Sequence, residues 1–181
     1  DCLYDARITR QRPMWMEEEP GARVHSGFLA AYESVSKQVL NRVFQLLNGS
    51  GADDILVTGH SLGGALAVLF CADACRALGD YTVLCVTFGA PRIGNSRFVR
   101  AFESQVDHSV CFTCARDVVT ALPSRLLGRF ADTPGQVWLD GKGGAKPRVP
   151  RMWLRKISDH RLEEYQKAIG RCLLYTSPSP R

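Results

Sequence analysis

The fold is decided by residues 57–67, which read Val-Thr-Gly-His-Ser-Leu-Gly-Gly-Ala-Leu-Ala. They continue an Ile-Leu run and lead into an Ala/Leu-rich segment, so the pattern predicts a strand, a sharp turn and a helix. The Gly-x-Ser-x-Gly spacing holds Ser61 at the tip of the turn in a strained backbone conformation. Because the residues two positions away on either side lie close to the chain, we expect a Cβ to clash at both Gly59 and Gly63.

Length and composition favour one globular domain. The 181 residues are 45% hydrophobic and 23% charged, which is typical of a protein with a substantial core. The formal net charge is +5, but Lys and Arg are scattered, so the charge does not predict nucleic-acid binding. No apolar run reaches the length of a transmembrane segment. The chain begins with Asp1 rather than Met, so the sequence predicts no particular compartment.

The final segment, residues 172–181, is set apart from the rest. It reads Cys-Leu-Leu-Tyr-Thr-Ser-Pro-Ser-Pro-Arg, which is the codon-by-codon translation of a transposon-type library adapter. We interpret it as a non-native tail and predict a single domain over residues 1–171. Without this tail the formal net charge falls to +4, because Arg181 is the one charged residue it contains.

The cysteines predict free thiols rather than bridges. Cys71 and Cys75 are one helical turn apart in an Ala-rich segment, and Cys85 lies within an apolar run, positions typical of buried thiols. Cys111 and Cys114 have the Cys-x-x-Cys spacing, but the sequence lacks the second pair of ligands that a zinc site needs. We therefore predict no metal and no other cofactor.

Alternating patterns predict an α/β fold. Apolar residues three to four positions apart indicate helices, and short β-branched runs indicate buried strands. Ser26 is the predicted N-cap of the first helix and Asn95 that of a later one. The β-α-β-α-β alternation favours a mostly parallel sheet with helices on both faces. The predicted elements are a helix at 26–47, a strand at 55–58, a helix at 61–78, a strand at 81–88, a helix at 96–106, strands at 109–113 and 137–139, and a helix at 159–169.

A serine hydroxyl needs a base to become a good nucleophile, and an imidazole serves near neutral pH. Two histidines follow Ser61 in the chain. His160 lies just before the last predicted helix, in a loop position where such side chains are presented, whereas His108 lies between a helix end and a strand start. We therefore prefer His160. His60 is expected to point away from the nucleophile, and His25 is interpreted as a structural residue.

A carboxylate is needed to hold that imidazole in the right tautomer. Asp117 follows the third strand, at the sheet edge where a site is expected. Asp107 is at the opposite end of that strand, and Asp132 and Asp140 are expected to be solvated turn residues. Asp159 is interpreted as a helix cap. We therefore assign Asp117 as the acid.

At this point the sequence resembles the class 3 lipases, the fungal and plant triacylglycerol lipase family. The resemblance covers residues 24 to about 169 in family order. It is carried by residues 24–28 (Val-His-Ser-Gly-Phe), 58–65 (Thr-Gly-His-Ser-Leu-Gly-Gly-Ala), 88–95 (Phe-Gly-Ala-Pro-Arg-Ile-Gly-Asn), 117–119 (Asp-Val-Val) with Leu122-Pro123, and Asp159-His160 with Tyr165 beyond.

The resemblance implies an α/β-hydrolase fold with Ser61, Asp117 and His160 as the catalytic triad. It also implies hydrolysis of acyl esters through an acyl-enzyme that water resolves. The substrate is then a lipid or another acyl ester, met at a membrane or droplet surface or in solution. Phospholipase A1, diacylglycerol lipase and feruloyl esterase activities share this scaffold and remain alternatives. A non-catalytic lipase-like binding protein, or an inactive fragment, is the alternative from another class.

One departure from the family concerns the oxyanion hole. The backbone N–H of Leu62 is expected to supply one donor, because it follows the nucleophile. The family's second donor comes from a turn after an upstream strand, and nothing like that turn precedes Asp1. We therefore expect a sheet that is incomplete at its N-terminal edge. Residues 10–23 fall where the family carries its lid, and Met14 and Trp15 are interpreted either as lid residues or as part of an ordinary surface loop.

Overall fold

The computed structural model describes residues 9–124, 130–139 and 156–176, with the side chains of the last helix described as far as Arg171. The strands are β1 (Arg10–Gln11), β2 (Val24–His25), β3 (Asp54–His60), β4 (Thr82–Phe88), β5 (His108–Cys114) and β6 (Gln136–Leu139). The helices are α1 (Ser26–Glu33), α2 (Ser36–Leu47), α3 (Leu62–Ala77), α4 (Ser96–Gln105) and α5 (Leu162–Thr176). Short 3-10 turns occupy Val119–Ala121 and Ile157–His160.

Four of these strands form the predicted parallel sheet, in the order β3-β4-β5-β6. The register places His60 beside Phe88, and Phe88 beside Phe112. The carboxyl ends of neighbouring strands therefore meet at one edge of the sheet, which is where parallel sheets present their sites. β1 and β2 form a separate antiparallel pair.

Helices cover both faces of the sheet. In β4, buried and half-buried side chains alternate, because successive residues of a strand point to opposite faces. Val83 and Cys85 belong to the larger apolar cluster, which α1 and α3 complete with Phe28 and Leu69. On the other face, Phe88 packs against a smaller cluster that includes side chains of α5. Both layers predicted from the alternation are confirmed.

The helix predicted at 26–47 is two helices, so that prediction is wrong in the middle. α1 ends at Glu33 and α2 begins at Ser36. The hydroxyl of Ser34 donates to the carbonyl of Ala31 at 2.8 Å, a local bond that competes with continuation of the helix. The break lets α1 bury its apolar face in the core while no residue of α2 is fully buried.

The predicted N-cap of that helix is also wrong. Ser26 is the first helical residue, and its hydroxyl lies 2.6 Å from that of Thr9. The cap is His25, whose Nδ1 accepts a hydrogen bond from the N–H of Gly27 at 3.1 Å. Asn95, by contrast, caps α4 as predicted, because its Oδ1 accepts from the N–H of Phe98 at 3.0 Å.

The last helix differs from the prediction at both ends. A 3-10 turn over Ile157–His160 comes first, and α5 runs from Leu162 to Thr176, into the segment interpreted as a tail. Two glutamates in its first turn favour that start, because carboxylates interact well with a helix N-terminus. Tyr165 is fully buried, whereas Leu162 is 44% exposed.

The segment before β2 is tied to the core by Trp15 and Met16. Met16 is fully buried, and the ring of Trp15 makes an edge-to-face contact with Tyr32 at 6.2 Å between centroids. Met14 is 80% exposed. Within the described residues, no helix is long and apolar enough to cross a bilayer.

The five cysteines in the described ranges are free thiols: Cys71, Cys75, Cys85, Cys111 and Cys114. Burial raises the pKa of Cys75 to about 11, with the charge of Asp107 as a smaller cause. The same ranges contain no group of three His, Cys, Asp or Glu side chains that could hold a metal ion.

Candidate active site

The turn after β3 has the strained conformation that its sequence predicts. Ser61 has φ 57° and ψ −126°, and it is the one residue other than glycine with positive φ in the described ranges. Such a conformation costs roughly 1–3 kcal/mol, so the surrounding structure must hold it. The N–H of Ser61 donates to the carbonyl of Phe88 at 3.0 Å, and its own carbonyl accepts from Gly64 and Ala65 in α3. The serine is thus fixed between the end of the sheet and the start of a helix.

Only one of the two predicted glycine clashes is found. A Cβ on Gly59 would overlap the carbonyl oxygen of Gly63 and lie 2.8 Å from the N of Gly64. A Cβ on Gly63 would meet no described atom within 4 Å, so the steric prediction is wrong there. The close contact is between position 59 and the backbone of Gly63, whereas no described atom lies near the place of a Cβ on Gly63. At Gly64, a Cβ would come within 3.0 Å of the Ala90 Cβ, so this glycine lets α3 pack close to the sheet.

The predicted base lies beside the serine. His160 ends the 3-10 turn before α5, and its Nε2 is 2.7 Å from the Oγ of Ser61. Its Nδ1 is 2.7 Å from Oδ2 of Asp117. An ionised carboxylate can only accept, so Nδ1 carries the proton and Nε2 is free to accept from the serine hydroxyl. The structure therefore brings the three predicted side chains into one hydrogen-bonded chain.

Asp117 is completely buried, yet its carboxylate is well supplied with donors. Oδ1 accepts from the N–H of Val119 at 2.8 Å, and Oδ2 accepts from the hydroxyl of Tyr165 at 2.6 Å as well as from His160. Burial of a carboxylate is tolerable when its oxygens are hydrogen-bonded. These bonds also fix the direction from which Asp117 faces the imidazole.

Tyr165 contacts the predicted acid, which no pattern in the sequence indicates. Besides donating to Asp117, its hydroxyl oxygen accepts from the N–H of Cys114 at 3.2 Å. Burial, followed by the nearby charge of Asp117 and the bond to it, raises the pKa of Tyr165 well above its ordinary value. The hydroxyl therefore stays protonated and remains a donor.

The segment that carries Asp117 is braced by Arg92, from the Gly-Ala-Pro-Arg stretch after β4. The guanidinium of Arg92 donates to the carbonyls of Ala121 and Pro123, and its Nε lies 3.0 Å from Oδ1 of Asp132. Asp132, expected to be a solvated turn residue, is therefore part of this brace. The loop after β4 thus supports the turn that follows Asp117.

The remaining candidates that the structure describes make other contacts. His108 begins β5, at the opposite end of the sheet, as the sequence predicts. At that same end, Asp107 accepts from the N–H of Val83 at 3.3 Å. Asp159 is not a helix cap: it pairs with Arg116 at 3.3 Å. Asp140 lies outside the described residues.

His60 makes a contact that the sequence does not predict. The expectation for this side chain is that it points away from Ser61, and its ring lies against that of His160, with 4.8 Å between centroids. Its Nε2 is 2.8 Å from the carbonyl oxygen of His160. No sequence pattern connects positions 60 and 160, so only the three-dimensional arrangement shows this contact.

The predicted oxyanion donor belongs to the first residue of α3. Leu62 begins this helix and follows Ser61 directly. The N–H groups in the first turn of a helix carry the positive end of its dipole. The predicted oxyanion donor is therefore positioned at a helix N-terminus, where a developing negative charge is stabilised.

Comparisons with known proteins identify the family. The model of the family "Lipase (class 3)" matches residues 3–127. A secreted mono- and diacylglycerol lipase from Fusarium solani is 34% identical over 121 residues, covering 67% of this chain and 35% of that protein. A chloroplastic phospholipase A1 from Arabidopsis thaliana, Phospholipase A1-Igamma2, is 33% identical over 132 residues, covering 60% of this chain and 25% of that protein.

Solved structures give the same answer for the fold. Lipase II from Rhizopus niveus superposes with a TM-score of 0.76 at 26% identity, covering 87% of this chain and 63% of that one. A lipase from Rhizopus microsporus var. chinensis superposes with a TM-score of 0.75 at 25% identity, covering 86% and 58%. The fold is therefore that of an α/β-hydrolase. More narrowly, the chain belongs to the class 3 lipase family, and it spans about a third or less of the length of the two curated relatives.

Proposed function

We propose that the protein is a serine hydrolase that cleaves acyl esters of lipids, with Ser61 as nucleophile, His160 as general base and Asp117 as the orienting acid. The observation that carries this proposal is the continuous hydrogen-bonded chain from the strained serine through the imidazole to a buried carboxylate. Each contact is 2.7 Å long, within the reach that proton transfer requires. The family relationship supports the same reaction class.

In this mechanism the Oγ of Ser61 attacks the ester carbonyl carbon while its proton passes to Nε2 of His160. The imidazolium that forms is stabilised by Asp117, which is buried and already bonded to Nδ1. The tetrahedral oxyanion accepts a hydrogen bond from the N–H of Leu62, and we propose that a second donor completes this hole. His160 then protonates the leaving alcohol, and water, activated by the same base, releases the acid from the acyl-enzyme.

Two features support a lipid ester as the substrate. Ile157, three residues before His160, is 71% exposed, and Leu162, two residues after it, is 44% exposed, so the segment that carries the base includes solvent-facing apolar side chains. Exposed apolar groups around a site are typical of surfaces that meet apolar ligands. The two relatives named above are a mono- and diacylglycerol lipase and a phospholipase A1. Phospholipase A1 activity is therefore the second candidate, favoured by the Arabidopsis relative.

The test is hydrolysis of p-nitrophenyl butyrate by the wild-type protein and by Ser61→Ala. The substitution should lower kcat on the order of 10⁶-fold, because the residues of a triad act as a unit. Ser104→Ala, at an exposed serine of α4, is the matched control and should keep wild-type activity. Equal turnover in wild type and Ser61→Ala would reject the nucleophile. A wild-type protein that binds ester lipids without cleaving them would favour the non-catalytic binding protein.

Substrate choice needs a panel rather than one ester. The panel contains four esters that differ in the groups on either side of the ester bond: dioleoylglycerol, a triacylglycerol, phosphatidylcholine and a feruloyl ester. Preference for the acylglycerols supports the lipase proposal, and preference for phosphatidylcholine with release of the sn-1 acid supports the second candidate. Preference for the feruloyl ester would contradict both.

A further inference from the structure

The residue before the nucleophile contacts the residue that carries the base. His60 ends β3, and its half-buried ring lies between two side chains on the far side of the site. One is His160, whose ring centroid is 4.8 Å away with 31° between the ring planes. The other is Tyr165, which meets the ring edge-on at 5.9 Å. Neither contact is needed for the proton transfers described above.

A hydrogen bond fixes how His60 is protonated. Its Nε2 lies 2.8 Å from the main-chain carbonyl oxygen of His160. A carbonyl oxygen only accepts, so Nε2 must carry the proton and donate. His60 therefore binds the backbone of the residue whose side chain serves as base, while the neighbouring Ser61 binds that side chain.

These two bonds hold both the ring and the main chain of His160. Ser61 Oγ meets the ring at Nε2, and His60 meets the carbonyl, so adjacent residues of one turn contact the ring and the main chain of the same histidine. The 3-10 turn that carries His160 is also tied at its start by the bond from the N–H of Lys156 to the carbonyl of Arg116, at 2.6 Å. The ion pair between Arg116 and Asp159 is more than half exposed on the arginine side, and such pairs contribute little.

We propose that His60 is a positioning residue: its Nε2–H holds the carbonyl of His160 so that the imidazole of His160 faces Ser61. This inference rests on the proposed function, because it concerns the base of that mechanism. Small errors in the placement of a catalytic group are costly, and a displacement of 1 Å lowers rates by about 10²-fold. Position 60 requires a hydrogen-bond donor rather than an aromatic ring.

The decisive comparison is between His60→Gln and His60→Met. The Gln amide nitrogen reaches the place of the imidazole Nε2 and can donate, whereas Met has a similar length and no donor. We expect His60→Met to lower kcat for p-nitrophenyl butyrate by about 10- to 100-fold while KM stays within about 2-fold, since substrate contacts are intact. His60→Gln should remain within about 3-fold of wild type in both constants. Wild-type kcat in His60→Met, or an equal loss in both variants, would overturn the proposal.

Two controls separate this inference from the others. Ser61→Ala is assayed in parallel: if it remains active, the proposed function fails, whereas an inactive Ser61→Ala beside a fully active His60→Met rejects only the role of His60. Should His60→Met not fold, as judged by its thermal unfolding, ¹⁵N NMR of wild-type histidines decides instead. The proposal requires the Nε2–H tautomer at His60, and the Nδ1–H tautomer would overturn it.

Discussion

The two halves of the candidate site are built in different ways. The elbow, residues 59–64, is held by contacts between near neighbours in sequence and by the bond from Ser61 to β4. The turn that carries the base, Ile157–His160, depends on groups that are distant in sequence: Asp117 is 43 residues away, Ser61 is 99 and His60 is 100. A nucleophile can thus be specified locally, whereas its base must be assembled by the whole fold.

The two halves of the site also differ in what stabilises their conformations. Strain at Ser61 is compensated by regular structure on both sides, a strand before it and a helix after it. In the turn that carries His160, the N–H of Arg161 donates to the carbonyl of Ser158 at 3.5 Å, which is long for such a bond. The orientation of His160 therefore rests on its side-chain and carbonyl partners. Substitutions of the elbow glycines should accordingly change stability, whereas substitutions of the groups that hold His160 should change the catalytic rate.

Among substitutions that keep Ser61, the largest effect is expected for Asp117→Asn. The amide cannot hold the imidazole in the tautomer that leaves Nε2 free, so kcat should fall on the order of 10⁴-fold. Steady-state hydrolysis of p-nitrophenyl butyrate measures it, with Asp107→Asn, at the opposite end of the sheet, as the comparison. Loss confined to KM in Asp117→Asn would show that the carboxylate acts in binding and not on the base.

At the elbow, Gly59→Ala and Gly63→Ala form a matched pair. The first places a Cβ against the backbone of Gly63, and the second places it in open space. We expect Gly59→Ala to lower the free energy of unfolding by about 3 kcal/mol, the upper end of overpacking costs, and Gly63→Ala to change it by less than about 1 kcal/mol. Urea unfolding followed by circular dichroism gives both values. Equal losses in the free energy of unfolding would mean that the close contact at Gly59 does not determine the stability of the turn.

A smaller effect is expected for Tyr165→Phe, which removes one donor from Asp117 and keeps the ring. The cost of one hydrogen bond to a charged group predicts a fall in kcat of about 10-fold. Because the pKa of Tyr165 is raised, its hydroxyl stays protonated as the pH rises through 9, so the ratio of wild-type to variant rates should be constant from pH 6 to 9. A ratio that falls toward 1 at alkaline pH would show instead that the wild-type tyrosine ionises there.

Much of the architecture could be predicted because it follows from short patterns. The parallel order of the strands came from alternating apolar runs, and the serine turn came from glycine spacing. Asp117 is assigned because it follows a strand at the expected sheet edge, and His160 because it lies in the loop before the last predicted helix. The structure brings His160 to Ser61 and Asp117 to His160, and their catalytic roles stay predictions until the variants are measured.

The misses have a common physical cause: they depend on contacts that the local sequence does not contain. The helix break depends on a serine side-chain bond that competes with the helix, which periodicity ignores. Gly63 fits the motif but has room beside it, which only packing reveals. The contact between His60 and His160 joins residues on two separate elements, so only the folded chain could show it.

The most direct test of the account is labelling with a fluorophosphonate, which reacts only with a serine that a neighbouring base activates. Intact-mass measurement followed by peptide mapping should show one adduct, at Ser61, and none in Ser61→Ala. Labelling of Asp117→Asn should be slower on the order of 10⁴-fold, because the base is no longer held in the reactive tautomer. An adduct at another serine, or no adduct on the folded wild-type protein, would contradict the assignment of Ser61, His160 and Asp117 as one catalytic unit.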